Sequence, residues 1–229
     1  MSEDMSASEV AAHLGVSNRR IRALIASSQL PARQVAGRWM VPAGAVSGFL
    51  PKDGGRPMAE HSAWLVLASL AGQDVSVSSR LRRRIGQLEN DESPHFRLLS
   101  WMSARGDLFR GWAFQPVIDD LRPDERLVLG GEHGVPDLES SGHLHAYVSV
   151  DDLDDVIADY NLRPASNGKI PNILLRAVSN LDAVPRQPGN PHVANAVVSA
   201  VDLLDDGDPR AVGEASEMIG RAVHAAAVR

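Results

Sequence analysis

Residues 6–42 read SASEVAAHLGVSNRRIRALIASSQLPARQVAGRWMVP and predict two short helices, a tight hairpin and a proline stop. Ser6 and Glu9 match a capping box, in which each side chain satisfies a free backbone amide at the start of a helix. Apolar residues follow at helical spacing. Gly15 predicts the end of this first helix, because glycine adopts a left-handed backbone at little cost.

Ser17 is the predicted N-cap of a second helix. Its inward stripe consists of Ile21, Leu24 and Ile25. At about 100° per residue, the opposite face and its flanks carry Asn18, Arg19, Arg20, Arg22, Ala23 and Ala26. Arginine grips guanine edges or phosphates with two parallel hydrogen bonds, and alanine allows close approach. We therefore expect this helix to lie in the major groove of DNA.

Residues 32–41 predict a two-stranded wing around a central Ala-Gly pair, with Arg33 and Arg38 on either side of the turn. We expect Trp39 and Val41 to pack inward and Arg38 to lie near a phosphate. The motifs L-G-V-S, L-P-A and G-R-W-x-V-P, with an Arg-rich helix between the first two, resemble the excisionase and MerR-type winged helix-turn-helix. A small helical domain with solvated arginines is the alternative interpretation.

The predicted DNA contacts fall into two groups. Arg19, Arg22 and Asn18 are expected on bases or adjacent phosphates, and Arg20, Arg33 and Arg38 on the backbone. The full predicted set is Ser17, Asn18, Arg19, Arg20, Arg22, Arg33 and Arg38. The expected partner is double-stranded operator DNA, bound by one chain or by a homodimer.

The composition is that of a globular protein, with 44% apolar and 23% charged residues in a chain of 229. This length suits two modules with cores of their own. The chain has no cysteine, which excludes disulfides and thiolate chemistry and fits a reducing compartment. The N-terminus is unlike a secretory signal, and the apolar run 63–71 is too short to cross a bilayer. We expect a cytoplasmic protein without a membrane partner.

Charge is distributed unevenly along the chain. Residues 1–115 carry 14 Lys and Arg against 10 Asp and Glu, a net charge of +4. Residues 116–229 carry 9 against 19, a net charge of −10. Because phosphates are neutralised by the charges that touch them, this asymmetry assigns DNA binding to the front half and a different role to the back half.

The predicted organisation is a winged helix-turn-helix over 1–50, a Pro- and Gly-rich linker over 51–57 and a helical plus α/β domain over 58–229. A short helix over 43–50 closes the first domain. The second part is predicted to be α/β (α+β), with a helical segment followed by a small sheet. Predicted strands are 126–131, 144–150 and 172–178, and 105–112 is predicted to turn. The predicted helices are 62–70, 78–88, 95–102, 117–121, 153–160, 193–204 and 211–227.

Four arginines stand on one side of the helix predicted near residue 80, namely Arg80, Arg82, Arg83 and Arg84. Such a cluster usually forms a solvated face or pairs with acidic side chains. A second contact with the DNA backbone and a contact with a toxin or RNA are the other interpretations.

Four further segments carry a second resemblance: R-P-x-x-x-x-S-A-W-x-x-L-x-x-L-x-G at 56–72, S-R-L-R-R-R at 79–84, R-L-V-L-G-G at 126–131 and A-V-D-L-L-D-D-G-D-P-R at 200–210. Together they resemble the AbiEi-like antitoxins of actinobacterial type IV toxin–antitoxin systems. The resemblance implies a chain that represses its own promoter through the N-terminal domain. It also implies that the C-terminal domain counters a nucleotidyltransferase toxin, with or without direct contact.

No enzymatic site is predicted, and neither a cofactor nor a metal is expected. His143 and His145 lie one residue apart in a strand pattern, so they should point the same way, and a pair of surface histidines is the favoured interpretation. Asp202, Asp205, Asp206 and Asp208 crowd one helix junction. They are interpreted as a helix cap, dipole partners and solubilising groups, in preference to a weak magnesium site. Asp151 is the predicted cap of helix 153–160.

Two rival functions remain. An excisionase-like architectural protein would bend DNA for a recombinase, with its back half used for oligomerisation. An enzyme with an unrecognised site would show magnesium-dependent turnover on nucleotide or nucleic acid and would lose it when Asp202 and Asp208 become Asn.

Overall fold

The computed structural model describes residues 4–14, 16–26, 30–35, 37–42, 46, 56–135, 138, 142–165, 171–206 and 209–228, without the side chains of 209 and 210. Its α-helices are α1 (Ala7–His13), α2 (Asn18–Ala26), α3 (Glu60–Leu70), α4 (Ser79–Glu89), α5 (Pro94–Met102), α6 (Gln115–Leu121), α7 (Leu153–Asp159), α8 (Ala196–Asp206) and α9 (Pro209–Ala227). Its strands are β1 (Asp4–Ser6), β2 (Arg33–Val35), β3 (Arg38–Pro42), β4 (Asp107–Trp112), β5 (Val128–Leu129), β6 (Leu144–Ser149), β7 (Arg163–Pro164), β8 (Ile173–Val178), β9 (Arg186–Gln187) and β10 (Asn190–Ala194). The predicted α+β class is confirmed.

The N-terminal part contains the two predicted helices and the predicted hairpin. Strand β1, which the sequence did not predict, pairs antiparallel with β3 and completes a three-stranded sheet of order β1-β3-β2. The small core beneath this sheet is formed by Val10, Ala11, Leu14, Ile21, Leu24, Leu30, Val41, Val46 and Phe96. The predicted inward stripe of α2 is therefore present, with Ile25 partly buried against this core.

The predicted capping box of α1 is confirmed. The amide of Ser6 donates to Oε2 of Glu9 at 2.6 Å, and the amide of Glu9 donates to Oγ of Ser6 at 3.3 Å. Ser17 caps α2 as predicted, since its Oγ accepts from the amide of Arg20 at 3.2 Å. Gly15 lies outside the described residues.

A mixed sheet forms the centre of the second part. Its strand order is β7-β4-β8-β6-β5-β10-β9, so seven described strands replace the small sheet that the sequence predicts. Strands β6 and β8 lie side by side and parallel, with Leu144 opposite Ile173 and Ser149 opposite Val178. Both strands are buried almost throughout, because helices cover both faces of the sheet.

The two faces of β6 and β8 carry different side chains, as the two-residue period of a strand requires. Even positions of β6 and odd positions of β8 join an apolar core with α6 and α7; its strand members are Leu144, Ala146, Val148, Ile173, Leu175 and Ala177. The opposite face carries His145, Tyr147 and Arg176. On that side α3, α4, α5, α8 and α9 share the larger core with Tyr147 and Val178.

Some predicted elements of this part differ from the structure. Residues 107–112 form β4, because five of them pair antiparallel with the buried strand β8, a long-range contact that the pattern of one segment does not reveal. The predicted helix over 193–204 begins only at Ala196, after β10. Asp152 rather than Asp151 precedes α7, and it makes no side-chain cap bond there.

The helix-turn-helix core includes a residue from outside the predicted first domain. Phe96 of α5 belongs to that core, and Nε2 of His95 lies 3.3 Å from the carbonyl oxygen of Leu14. The predicted helix over 43–50, apart from buried Val46, lies outside the described residues, as do residues 51–55 of the predicted linker. Among the described helices, none is both long and apolar enough to cross a bilayer.

Candidate nucleic-acid interface

Helix α2 presents a polar face to solvent. Ile21 and Leu24 are buried, and this anchors the helix with its other side outward. The exposed residues are Asn18, Arg19, Arg22, Ala23 and Ala26, while Arg20 is half-buried. An exposed helix with arginines beside alanines has the chemistry needed to enter a major groove and contact base edges.

The wing formed by β2 and β3 is exposed on both strands. Arg33, Gln34, Val35 and Arg38 all face solvent, and Gly37 at the tip has a φ of 78°. Trp39 was predicted to pack inward, yet 38% of it is exposed. Val41 pairs with Met5 of β1 and is buried, whereas Trp39 lies past the end of β1, nearer the hairpin tip. The same strand face is therefore covered at Val41 and open at Trp39.

Arg33 and Arg19, both predicted to contact DNA, form ion pairs within the protein. Nε and Nη2 of Arg33 donate to Oδ2 of Asp4 at 2.9 and 2.6 Å. Arg19 forms an ion pair with Glu92, which precedes α5. The Arg19 and Glu92 side chains are mostly exposed, and such pairs contribute only about 0–1 kcal/mol. A phosphate could therefore replace Glu92 as the partner of Arg19.

The arginines of α4 lie on the outside of the second part. Ser78 caps this helix, and Ile85 and Leu88 form its buried side. Arg80, Arg82 and Arg83 are exposed. Arg84 is half-buried, and its guanidinium lies 5.4 Å from the centre of the Trp101 ring. A contact with DNA or a partner through these arginines stays a prediction.

A buried ionic network lies between the sheet and α8, and the sequence did not predict it. Arg105, with no exposed surface, donates Nη2 to Asp202 Oδ1 at 2.9 Å and to Asp205 Oδ2 at 3.2 Å. Nη2 of Arg176 donates to the same Asp205 oxygen at 2.5 Å. The Tyr147 hydroxyl donates to Asp202 Oδ1, also at 2.5 Å.

This network changes the interpretation of the aspartates near residue 205. Asp202 is buried, and Asp205 is largely covered, so neither serves to solubilise the chain. Burial alone would raise the pKa of Asp205, but the positive charges of Arg105 and Arg176 outweigh it and lower that pKa. Burial also raises the pKa of the Tyr147 hydroxyl, and neighbouring Asp202 adds to this effect. Asp208 and Gly207 lie outside the described residues.

The two histidines predicted to lie on the surface converge with the third aspartate of α8. His145 is buried and His143 half-buried, so the surface interpretation was wrong. Nε2 of His145 lies 3.5 Å and Nδ1 of His143 lies 3.6 Å from Oδ2 of Asp206. Burial alone would raise the pKa of Asp206. The hydrogen bonds and charges of His143 and His145 outweigh this effect, so the pKa of Asp206 lies below its ordinary value. These three residues have the donor atoms and the proximity to hold a metal ion.

One signal for the network was present in the sequence. Arg176 interrupts the otherwise apolar strand ILLRAV, and an arginine in a buried strand requires an anionic partner. The partner could not be identified from the sequence, because Asp205 approaches only once α8 packs on the sheet. Arg105 stands in a loop and gave no comparable signal.

The model of one protein family, described as a helix-turn-helix domain, matches residues 5–50. No curated protein and no solved structure matches the chain. The matched residues include α1, α2 and the hairpin, and thus the exposed face of α2. The match supports a DNA-binding helix-turn-helix domain at the N-terminal end of this α+β protein.

Proposed function

We propose that the protein is a transcriptional regulator that binds operator DNA with α2 in the major groove and the β2–β3 wing on the adjacent backbone. The observation that carries this proposal is the exposed face of α2, where Arg19 and Arg22 stand beside two exposed alanines. The domain division at residues 51–57 belongs to the same proposal. The acidic second part would stay off the duplex.

The proposal is tested with DNA from upstream of the protein's own gene. Fluorescence anisotropy should show salt-dependent binding by the full chain, because neutralising phosphates releases counterions. An R19A/R22A variant should lose about 1–3 kcal/mol for each base contact removed and should discriminate less between sequences. R163A/R221A removes two exposed arginines, from β7 and from α9, and serves as the charge-matched control. Full affinity in R19A/R22A would refute the assignment.

A finer proposal is that this regulator is the antitoxin of a type IV toxin–antitoxin system, countering a nucleotidyltransferase toxin. It is supported by the resemblance of the segments 56–72, 79–84, 126–131 and 200–210 and by the charge difference between the two halves. Co-expression with the product of the adjacent gene provides the test. Growth should be restored by the full chain and by its R19A/R22A variant, since the two activities would use separate parts. Loss of rescue by a folded R19A/R22A variant would contradict this separation.

The rival excisionase-like function keeps the DNA interface and changes its purpose. The winged architecture is equally consistent with an architectural protein that bends DNA beside a recombinase. A circular-permutation bending assay separates the two, because the excisionase-like protein should bend its site strongly. A neighbouring integrase gene would favour that function, and a neighbouring nucleotidyltransferase gene would favour the antitoxin. In neither case do we expect the protein to act as an enzyme.

A further inference from the structure

Three metal-binding side chains meet where the start of β6 approaches the end of α8. The ligand atoms of His143, His145 and Asp206 all lie within 4.8 Å of one another. The two histidines reach Asp206 from the same side, because a single residue separates them along an extended segment. From this arrangement we propose that His143, His145 and Asp206 bind one Zn²⁺ ion, a role separate from DNA binding.

The distances support metal coordination. Imidazole nitrogens and carboxylate oxygens bind zinc at about 2.0–2.2 Å, which places neighbouring ligands of a tetrahedron roughly 3.3–3.6 Å apart. The separations from Asp206 Oδ2 are 3.5 Å to His145 and 3.6 Å to His143. They are long for direct hydrogen bonds, whose usual range ends near 3.2 Å. The positions of these atoms thus match two edges of a tetrahedral zinc site.

The donor set selects the metal. Imidazole suits zinc and other late first-row metals, whereas magnesium and calcium require mainly oxygen ligands. Asp202 and Asp205 could have supplied those oxygens, but they accept hydrogen bonds from Arg105, Arg176 and Tyr147. Asp206 is the aspartate of α8 that faces the histidines. A two-histidine, one-carboxylate set therefore favours Zn²⁺ over Mg²⁺.

The backbone at Gly131 holds one of the ligands in place. Gly131 has a φ of 55°, and a Cβ atom there would lie 2.7 Å from Cγ of His145, so its backbone lies directly against this ring. Zinc held by three protein ligands takes a water molecule as its fourth.

The experiment uses the full chain after removal of metals with a chelator and dialysis. Isothermal titration should give one Zn²⁺ per chain, and Co²⁺ in its place should give the intense visible absorption of tetrahedral cobalt. H143A, H145A and D206N should each weaken Zn²⁺ binding more than about 100-fold, because even outer-shell partners contribute about 10–100-fold. H61A removes an exposed histidine from α3 and should bind like the wild type.

Circular dichroism shows which variants are folded, and half-buried His143 allows a test if a variant of buried His145 unfolds. Three results would overturn the proposal: no saturable Zn²⁺ binding by the wild type, wild-type affinity in folded H143A, or a weak octahedral Co²⁺ spectrum. The DNA-binding assay is independent of all three. Failure of the zinc site would thus leave the regulator proposal standing, and the reverse also holds.

Discussion

Nε2 of His95 lies 3.3 Å from the carbonyl oxygen of Leu14, so a buried side chain of α5 contacts the end of α1. Only 4% of His95 is exposed. Burial lowers its pKa, although the bond to Leu14 and the charge of Asp91 act in the opposite direction. The neutral ring can donate a hydrogen bond from Nε2 to Leu14. The contact joins the helix-turn-helix to the rest of the chain and should respond to acid.

The first prediction is therefore that acid weakens this contact. Because the folded-state pKa of His95 lies below its unfolded value, near 6.5, the contribution of neutral His95 is complete above that value. It is lost as the pH falls through the lower folded-state pKa. Urea unfolding at pH 7.5 and 5.5 should show a larger loss of stability in the wild type than in H95Q. Equal losses in the two proteins would contradict this role, since other histidines are common to both.

Glu92 should restrain DNA binding. Its carboxylate pairs with Arg19, the same group that we propose for contact with DNA. E92Q removes this competitor and one negative charge near the interface. We expect affinity to rise by up to about 5-fold at low salt, since exposed pairs contribute about 0.2–1 kcal/mol. E125Q, an equal charge change in an exposed turn, is the control, and an equal rise in both variants would indicate a net-charge effect alone.

The capping box should matter for the stability of the N-terminal part. S6A removes the acceptor for the amide of Glu9 and should cost about 1 kcal/mol. Ser8 is exposed and lies within α1, after the cap. S8A should therefore change the free energy of unfolding by no more than about 0.5 kcal/mol. Chemical denaturation followed by helical circular dichroism compares the two. A smaller effect for S6A than for S8A would mean that the cap contributes nothing.

Removing the buried cation should be far more costly than removing an exposed one. R105A leaves Asp202 and Asp205 short of a partner in a dry environment, and breaking a buried pair costs about 3–5 kcal/mol. Arg163 is exposed on β7, so R163A should change stability by no more than about 0.5 kcal/mol. Guanidinium unfolding of both variants measures the difference. A mild effect for R105A would show that Arg176 alone can balance the two aspartates.

Gly131 should tolerate no side chain. G131A places a methyl group against the His145 ring and also forces alanine into a left-handed backbone at φ 55°. The control is G189A, where φ is 81° and nothing lies within 4 Å, so it carries the backbone cost alone, about 1–2 kcal/mol. We expect G131A to lose more stability than G189A in thermal unfolding. Equal losses would mean that the His145 ring moves aside freely.

The sequence predicted the N-terminal part better than the sheet. Local rules cover a capping box, a polar face on α2 and a Gly-containing turn, because each depends on neighbouring residues. The strand β4 escaped prediction, since its mixture of polar and aromatic residues makes sense only beside β8. Likewise β1 has three residues and exists because β3 pairs with it.

The polar groups near α8 likewise combine a local feature that the sequence reveals with distant partners that it does not. The spacing of Asp202, Asp205 and Asp206 already places them on one side of a helix, as residues three and four apart must be. Their partners come from distant segments, namely a loop at Arg105 and the facing strands at His145 and Arg176. Interpretation of the aspartates as solvated groups failed because nothing local distinguishes a solvated carboxylate from one that will be buried against a guanidinium.

The opposite chemistry of the two faces of β6 and β8 has a consequence for folding accuracy. If either strand slipped by one residue against the helices, its ionisable side chains would turn into the apolar core shared with α6 and α7. A guanidinium buried there would lack a counter-ion, and an imidazole would lack a hydrogen-bonding partner, so that misfolded arrangement is heavily penalised. The polar side chains within this sheet thus favour the native register of the strands and disfavour registers shifted by one residue.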